Sequence, residues 1–436
     1  MRFARSRNNR VARRRTKQSP SMKDLHRALV RALREESRPE KVLASLLRAK
    51  LKSKGHKVGK GDEPALRDLA NQILENKGRS SRYSTRDQRL SKLAASLEIS
   101  AEDVRGLTES VGKAVEATIP EVARQLGGSF TQAVHRAAQQ NVAASQAHVE
   151  YVRLRLRGQW SNAFDWLCVL IGIAEDLHEV VRETYHAGPV AKRTHMLEAQ
   201  LRLQARACHT TWEVLTLLEF GHPDGALARW RTIHEIACIS SFLLEKGEGC
   251  AERYLRHEDV DALRAANAFN RAAILSKGRR VSRADMAFLE RRVTRLAKRF
   301  GEPYRSEYGW ASDALGVKAP KFSDVEAAAG LGHARHSYRL ASGAIHAGPQ
   351  TTMYKVGMLA GAEYLMLAGT SSIELDEVGI FTAHALAAST VNLLMARVTL
   401  DSLVWSNVVL ATRNRVTRMF SCIRRLIDRA AKDQQT

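Results

Sequence analysis

The stretch from Ala226 to Leu244 limits the fold more than any other part of the chain. Laid out on a helix it is apolar on nearly every side, yet it carries Arg231 and Glu235 one turn apart. Cys238 and Phe242 share the face of that pair, and Leu227, Trp230 and Ala237 cover the adjoining sector. A helix that is apolar all round is buried, and a buried charge is costly unless it is paired. The run therefore needs a core thick enough to surround a helix. It also makes Arg231 and Glu235 either a structural tie between helices or part of a site.

The rest of the 436 residues can build such a core from helices. Prolines number only 9 and aromatic residues are scarce, while Ala, Leu, Arg and Glu abound. No sustained alternating run of Val, Ile and Thr marks a sheet. Long amphipathic stretches are expected as helices over 149–185, 190–220, 224–244, 250–274, 282–300, 331–346, 351–367 and 374–411. Breaks fall at Gly188-Pro189, Gly221-His222-Pro223, Ser276-Lys277-Gly278 and Gly348-Pro349. Short connections between long helices predict an all-α fold, an antiparallel multi-helix bundle. No internal repeat suggests a solenoid.

The organisation read from these breaks has a basic arm over 1–20 and a small helical region over 21–145. A bundle core follows over 150–411, then a C-terminal helix or tail over 412–436. In the small region, helices are expected over 25–51 with a break at Pro39, over 63–75 and over 85–97. A loop covers 52–62, and Ser100 with Asp103 marks a further helix start.

Charge is unevenly placed. Residues 1–20 hold eight bases and no acid, and residues 21–60 hold twelve bases against four acids, so +16 of the net +23 lies in the first 60 residues. An arm such as Arg2 to Lys17 suits nucleic acid, RNA included, or another polyanion. The five cysteines are scattered without a CxxC and read as reduced core residues of a cytoplasmic protein. The segments 164–174 and 358–370 appear the longest apolar ones and are too short to cross a bilayer, so no membrane span is expected.

The second stretch that suggests chemistry is Leu331 to His346. On a helix, Arg335, Arg339, Ser342 and His346 share a narrow sector beside an apolar stripe of Leu331, Ala334, Tyr338, Ala341 and Ile345. Arginine grips phosphate bidentately, and histidine moves protons near neutral pH. His346 is thereby nominated as a general acid or base on an RNA 2′-hydroxyl and leaving oxygen, with Arg339 as phosphate clamp and no metal. The plain alternative is an exposed polar face whose His346 ends the helix. Arg339 to His346 fits the R-x(4–6)-H pattern of HEPN-type ribonucleases, as do Arg202 to His209 and Arg229 to His234. P-loop, GxGxxG, HExxH and GxSxG signatures are absent. His178 with Glu175 and Glu179 lacks the second motif a di-iron bundle needs. No metal ligand and no cofactor is nominated.

The order of three segments, EVLTLLEFGHPDGALARWRTIHEIACISSFL, AERYLRHED and YRLASGAIHAG, resembles the bacterial helical family called domain of unknown function 5677. The resemblance rests on Gly225-Ala226 leading into Arg231 and Glu235, then Tyr254, then Ser342 and His346, and spans roughly residues 150–410. It implies a helical bundle and nominates those residues as one shared site. It carries no established activity, and a link to HEPN-type nucleases of toxin or antiphage systems is analogy at the level of fold.

The functional expectation is a metal-independent endoribonuclease with His346 and Arg339 catalytic. Arg231, Glu235, Tyr254, Ser342 and Arg335 would then form the substrate pocket, in a homodimer such as HEPN-type sites often use. The alternative is a non-catalytic helical module that binds nucleic acid or a protein partner.

Overall fold

A computed structural model of the chain describes residues 27, 38–75, 120, 123–124, 127–128, 130–188, 194–276, 278–346, 358–359, 362–366 and 369–433. The basic arm and the helices expected over 85–97 and from Ser100 lie outside the described residues. The chain divides into two compact units, Met1–Gln146 and Ala147–Thr436.

In the first unit, α1 (Pro39–Ser53) and α2 (Glu63–Glu75) form a small helical pair. Pro39 opens α1 where its missing N–H costs nothing, and Gly55, at φ +81°, helps turn the chain after it. Leu43, Leu47 and Leu51 recur at helical spacing and bury against Leu66, Leu69 and Ala70. Arg48 of α1 pairs with Glu63 of α2.

The helix α3 (Ala138–Ala187) leads into the second unit, followed by α4 (His195–Glu219), α5 (Pro223–Lys246), α6 (Glu248–Arg256), α7 (Glu258–Ser276) and α8 (Arg283–Phe300). An irregular segment then contains the 3₁₀ turns Glu302–Arg305 and Gly309–Ala311 and the single-turn α9 (Ser312–Leu315). After it come α10 (Phe322–Ala328), the 3₁₀ turn Gly332–Ala334 and α11 (Arg335–Ile345). Last are the strands β1 (Met358–Leu359) and β2 (Ala362–Met366), then α12 (Leu375–Met395) and α13 (Leu400–Lys432).

The all-α fold is as expected, apart from one short antiparallel hairpin in which Met358 faces Met366 and Leu359 faces Ala362. The hairpin lies where the spacing predicts a helix over 351–367. Gly357 and Gly361 weaken helix there, by about 1 kcal/mol each. The stretch expected as one helix over 250–274 breaks at His257, and that over 374–411 breaks between Met395 and Leu400. At the second break Thr399 and Ser402 cap each other reciprocally. The Ser402 N–H donates to Thr399 Oγ1 at 3.1 Å, and the Thr399 N–H donates to Ser402 Oγ at 2.7 Å.

The core lies where α3, α4, α5, α12 and α13 meet, with Trp160, Phe164, Trp230, Phe242, Leu386 and Phe420 wholly buried or nearly so. α12 is long and apolar enough to cross a bilayer by composition, and 67% of its most apolar window is buried among the other helices, as in a core helix. It is longer than the apolar segments 164–174 and 358–370. α12 passes close to α13 at Gly379, where the Phe420 ring occupies the space of an absent side chain. Phe420 in turn rests on Trp160 and Phe164, at centroid distances of 5.9 and 6.0 Å.

Buried amides fix the register between helices. Gln204 of α4 donates to the Ala174 carbonyl of α3 at 2.9 Å, and Gln200 donates to the Ser240 carbonyl of α5 at 2.8 Å. Asn392 of α12 donates to Ser241 Oγ at 2.8 Å. The irregular segment is held differently. The Arg253 guanidinium of α6 donates to the Trp310 carbonyl (3.1 Å), the Phe300 carbonyl (3.3 Å) and Ser312 Oγ (3.1 Å). Tyr304 and Trp310 are buried beneath it.

Candidate functional site

The polar interior is built on α5. Gly221, at φ +74°, turns the chain out of α4, and Pro223 starts the new helix. α5 then places Arg231, His234, Glu235 and Cys238 at offsets of three, four and seven residues, so they share one side. The short helices α10 and α11 close over that side, bringing Glu326 from one and Arg335 and Tyr338 from the other.

Arg231 and Glu235 form the i, i+4 ion pair expected of them, Nε to Oε1 at 3.1 Å, with side chains 27% and 29% exposed. The contact is a charge pair, since Nε lacks an aligned hydrogen-bond acceptor. The Arg231 guanidinium lies over the Tyr338 ring, 4.8 Å from its centroid, and the Tyr338 hydroxyl donates to Glu235 Oε1 at 2.5 Å. Burial, and then the Glu235 carboxylate, push the Tyr338 phenol above its ordinary value, so it stays a neutral donor.

Beneath this layer is a second one. His234 Nε2 lies 2.8 Å from Glu326 Oε1, and both side chains are almost fully enclosed. Cys238 Sγ, also buried, lies 3.5 Å from the same ring nitrogen. Arg335 Nη1 donates to the other oxygen of Glu326 at 2.9 Å, with its guanidinium 5.4 Å from the Tyr338 centroid. Burial lowers the His234 pKa against the opposing pull of Glu326, and raises that of the Cys238 thiol.

The structure thus gathers Arg231, Glu235 and, through Glu326, Arg335 into one network. Other nominated residues have separate surroundings. The Tyr254 ring packs edge-on against Trp310 at 5.1 Å, and burial pushes its phenol up to about 12. The Ser342 hydroxyl donates to the Tyr338 carbonyl of its own helix at 2.9 Å. Arg339 and His346 are exposed, with His346 just beyond the last turn of α11. Around His178, the three residues weighed as a metal motif serve different partners: His178 meets Gln204, Glu175 accepts from Trp212, and Glu179 pairs with Arg182.

Sequence reasoning missed His234, Glu326 and Tyr338. In the sequence His234 stands out only as one end of an Arg–His spacing, although its i, i+4 relation to Cys238 is legible. Glu326 lies on a seven-residue helix that periodicity does not register.

Residues 198–362 match the model of a family of unknown function, DUF5677. This stretch, less than half of the chain, is similar to DUF5677. It holds both layers of the polar network as well as Tyr254, Arg339, Ser342 and His346. The match is narrower than the span of roughly 150–410 that the resemblance implied. The DUF5677 stretch leaves out α3, α12 and α13, which help bury α5. No curated protein and no solved structure matches the chain.

Proposed function

We propose that the protein is a helical nucleic-acid-binding module, with α8 as a phosphate-contacting face. The observation that supports this is a row of cations on that helix. Arg291, Arg295 and Lys298 are exposed at i, i+4 and i+7, and with Ala287, Glu290 and Thr294 they line a shallow groove of about 470 Å³. The neighbouring Arg292 and Arg299 are neutralised by Asp259 and Glu252 at 2.9 and 2.8 Å. Among the described residues no acid pairs with Arg291, Arg295 or Lys298. Cations left free along a groove match the repeating charge of a phosphate backbone, and the charge of the N-terminal arm adds to the same attraction.

A second reading is metal-independent RNA cleavage of HEPN type. Its support is that Arg339, on α11, and His346, at the cap just beyond that helix, are both exposed and so accessible to a substrate. His346 would be the general acid and base and Arg339 the phosphate clamp. The residues Arg231, Glu235 and Tyr338, engaged with one another, and Arg335, engaged with Glu326, would then be positioning residues.

One experiment addresses both. End-labelled RNA and DNA are titrated with the full chain across a salt series, with and without EDTA. The same is done with the triple variant Arg291→Ala, Arg295→Ala, Lys298→Ala and with Arg339→Ala and His346→Ala. The binding reading expects the triple variant to flatten the slope of log K against log salt by about 2 to 3, at about 0.7–0.9 per phosphate contact. An unchanged slope refutes it. The cleavage reading expects 2′,3′-cyclic phosphate ends from the parent in EDTA and none from His346→Ala, and an intact substrate with the parent refutes it.

A further inference from the structure

We propose that His234, Cys238 and Glu326 form a binding site for one divalent cation of the zinc class, joining α5 to α10. Three observations carry this. First, the donors are the right kinds: an imidazole nitrogen, a thiol sulfur and a carboxylate oxygen are the ligand types zinc takes. Second, they cluster, two of the donors approaching the third. Cys238 Sγ at 3.5 Å and Glu326 Oε1 at 2.8 Å both approach the same ring nitrogen of His234, and all three donor atoms lie within 4.8 Å of one another. In a Cys–His–Glu catalytic relay the carboxylate would take the other ring nitrogen, so the geometry is not that of an activated thiol. Third, all three residues are buried, with side-chain exposures of 5% for His234 and 2% for Glu326, and a thiol with no exposed surface has no route to a substrate.

The dimensions fit. With metal–ligand lengths of about 2.0–2.3 Å, the edges of a tetrahedral zinc site run to about 3.3–3.6 Å. The His234–Cys238 edge already has that length, and their i, i+4 spacing on α5 supplies it without any tertiary adjustment. Glu326 would have to move about half an ångström away from the imidazole, and its oxygen and Cys238 Sγ, which lie within 4.8 Å of each other, would have to come to the same edge length.

The surroundings also suit a metal. Arg335 holds the second carboxylate oxygen of Glu326 at 2.9 Å, which fixes the first as a one-oxygen ligand and serves as the outer hydrogen bond that ligating carboxylates usually have. Binding would displace the proton of Cys238, and the thiolate and carboxylate charges would balance a dication. With the site enclosed, the ion would act as a cross-link between helices, and a small ligand such as water would complete the shell.

The test uses the full chain, stripped with chelator and titrated with Co²⁺ as a spectroscopic stand-in for Zn²⁺. The expected result is one equivalent bound, with the intense visible bands of tetrahedral cobalt and a thiolate-to-cobalt charge-transfer band. Cys238→Ser should lose the charge-transfer band while its circular dichroism stays helical. Arg335→Ala, which keeps all three ligands, should weaken binding by about 10–100-fold. If the unsubstituted chain retains neither Co²⁺ nor Zn²⁺ after desalting, the proposal is wrong. It is equally wrong if Co²⁺ binds without a thiolate band. Both tests need no variant to fold.

Discussion

Replacing Gly379 by alanine tests the packing reading of the bundle at its tightest point. In an ordinary helix the change helps, since alanine is better than glycine by about 1 kcal/mol. Here the new Cβ would lie 2.3 Å from Cζ of Phe420 and 2.6 Å from both Cε atoms, more than 1 Å inside contact distance. The ring cannot simply swing aside. Phe420 is fully buried, and Trp160 and Phe164 hold it at centroid distances near 6 Å. Overpacking of this kind costs about 1–3 kcal/mol, and three simultaneous overlaps put it at the upper end. After the propensity gain, Gly379→Ala should lose about 2 kcal/mol, or roughly 4–8 °C in melting temperature for a unit of this size. Urea unfolding followed by far-ultraviolet circular dichroism reads this directly. The double variant Gly379→Ala with Phe420→Leu makes room for the methyl group. It should therefore be less destabilised than the sum of the two single changes, by about 1 kcal/mol or more. A Gly379→Ala protein as stable as its parent, or strictly additive single changes, would refute the argument.

Two further outcomes follow from buried polar groups. Arg253→Ala strips donors from the carbonyls of Phe300 and Trp310 and from Ser312, and should cost about 2–4 kcal/mol, measured by the same unfolding assay. Loss confined to a few tenths would show that water replaces the guanidinium. Burial raises the Asp376 pKa, and its Oδ1 has no hydrogen-bond partner, with Arg424 only at 3.8 Å. A raised carboxylate binds a proton more readily folded than unfolded, so its contribution is fullest at low pH and is lost as pH rises through the folded value. The unfolding free energy of the parent should therefore improve relative to Asp376→Asn between pH 7 and pH 4. A gap that widens against the parent on acidification contradicts that sign.

Much of the architecture was legible because long helices announce themselves. The run around Trp230 and Ile233 could only be buried, and α5 is. The turn at Gly221 to Pro223 is where its breakers stand. What escaped was short or non-periodic. Glu326 and Phe322 sit on two turns of helix, too few for a 3.6-residue period to emerge. Tyr304 and Trp310 are placed by Arg253 and by chain turns rather than by any repeat. The break between α12 and α13 depends on Thr399 and Ser402 capping each other, a signal masked by the apolar residues on both sides. Part of the candidate site was visible for a similar reason. Arg231 and Glu235 stand out as charges in an apolar run, whereas His234 is inconspicuous until Glu326, 92 positions away, is brought beside it. Tyr338 read as one more member of an apolar stripe, and only the fold shows its hydroxyl meeting Glu235.

The grip of Arg253 on the irregular segment has a consequence for how the chain is made. The carbonyl it holds at Trp310 lies 57 residues further along, and Phe242, which packs against Trp310, is more distant still. At about 5–20 residues per second, ribosomal synthesis leaves roughly 3–11 s in which α6 has emerged without the segment that covers it. During that interval the half-made bundle offers an aromatic and apolar face to its surroundings. Chaperones that hold apolar helices have their opening then, and it closes when Tyr304 and Trp310 arrive.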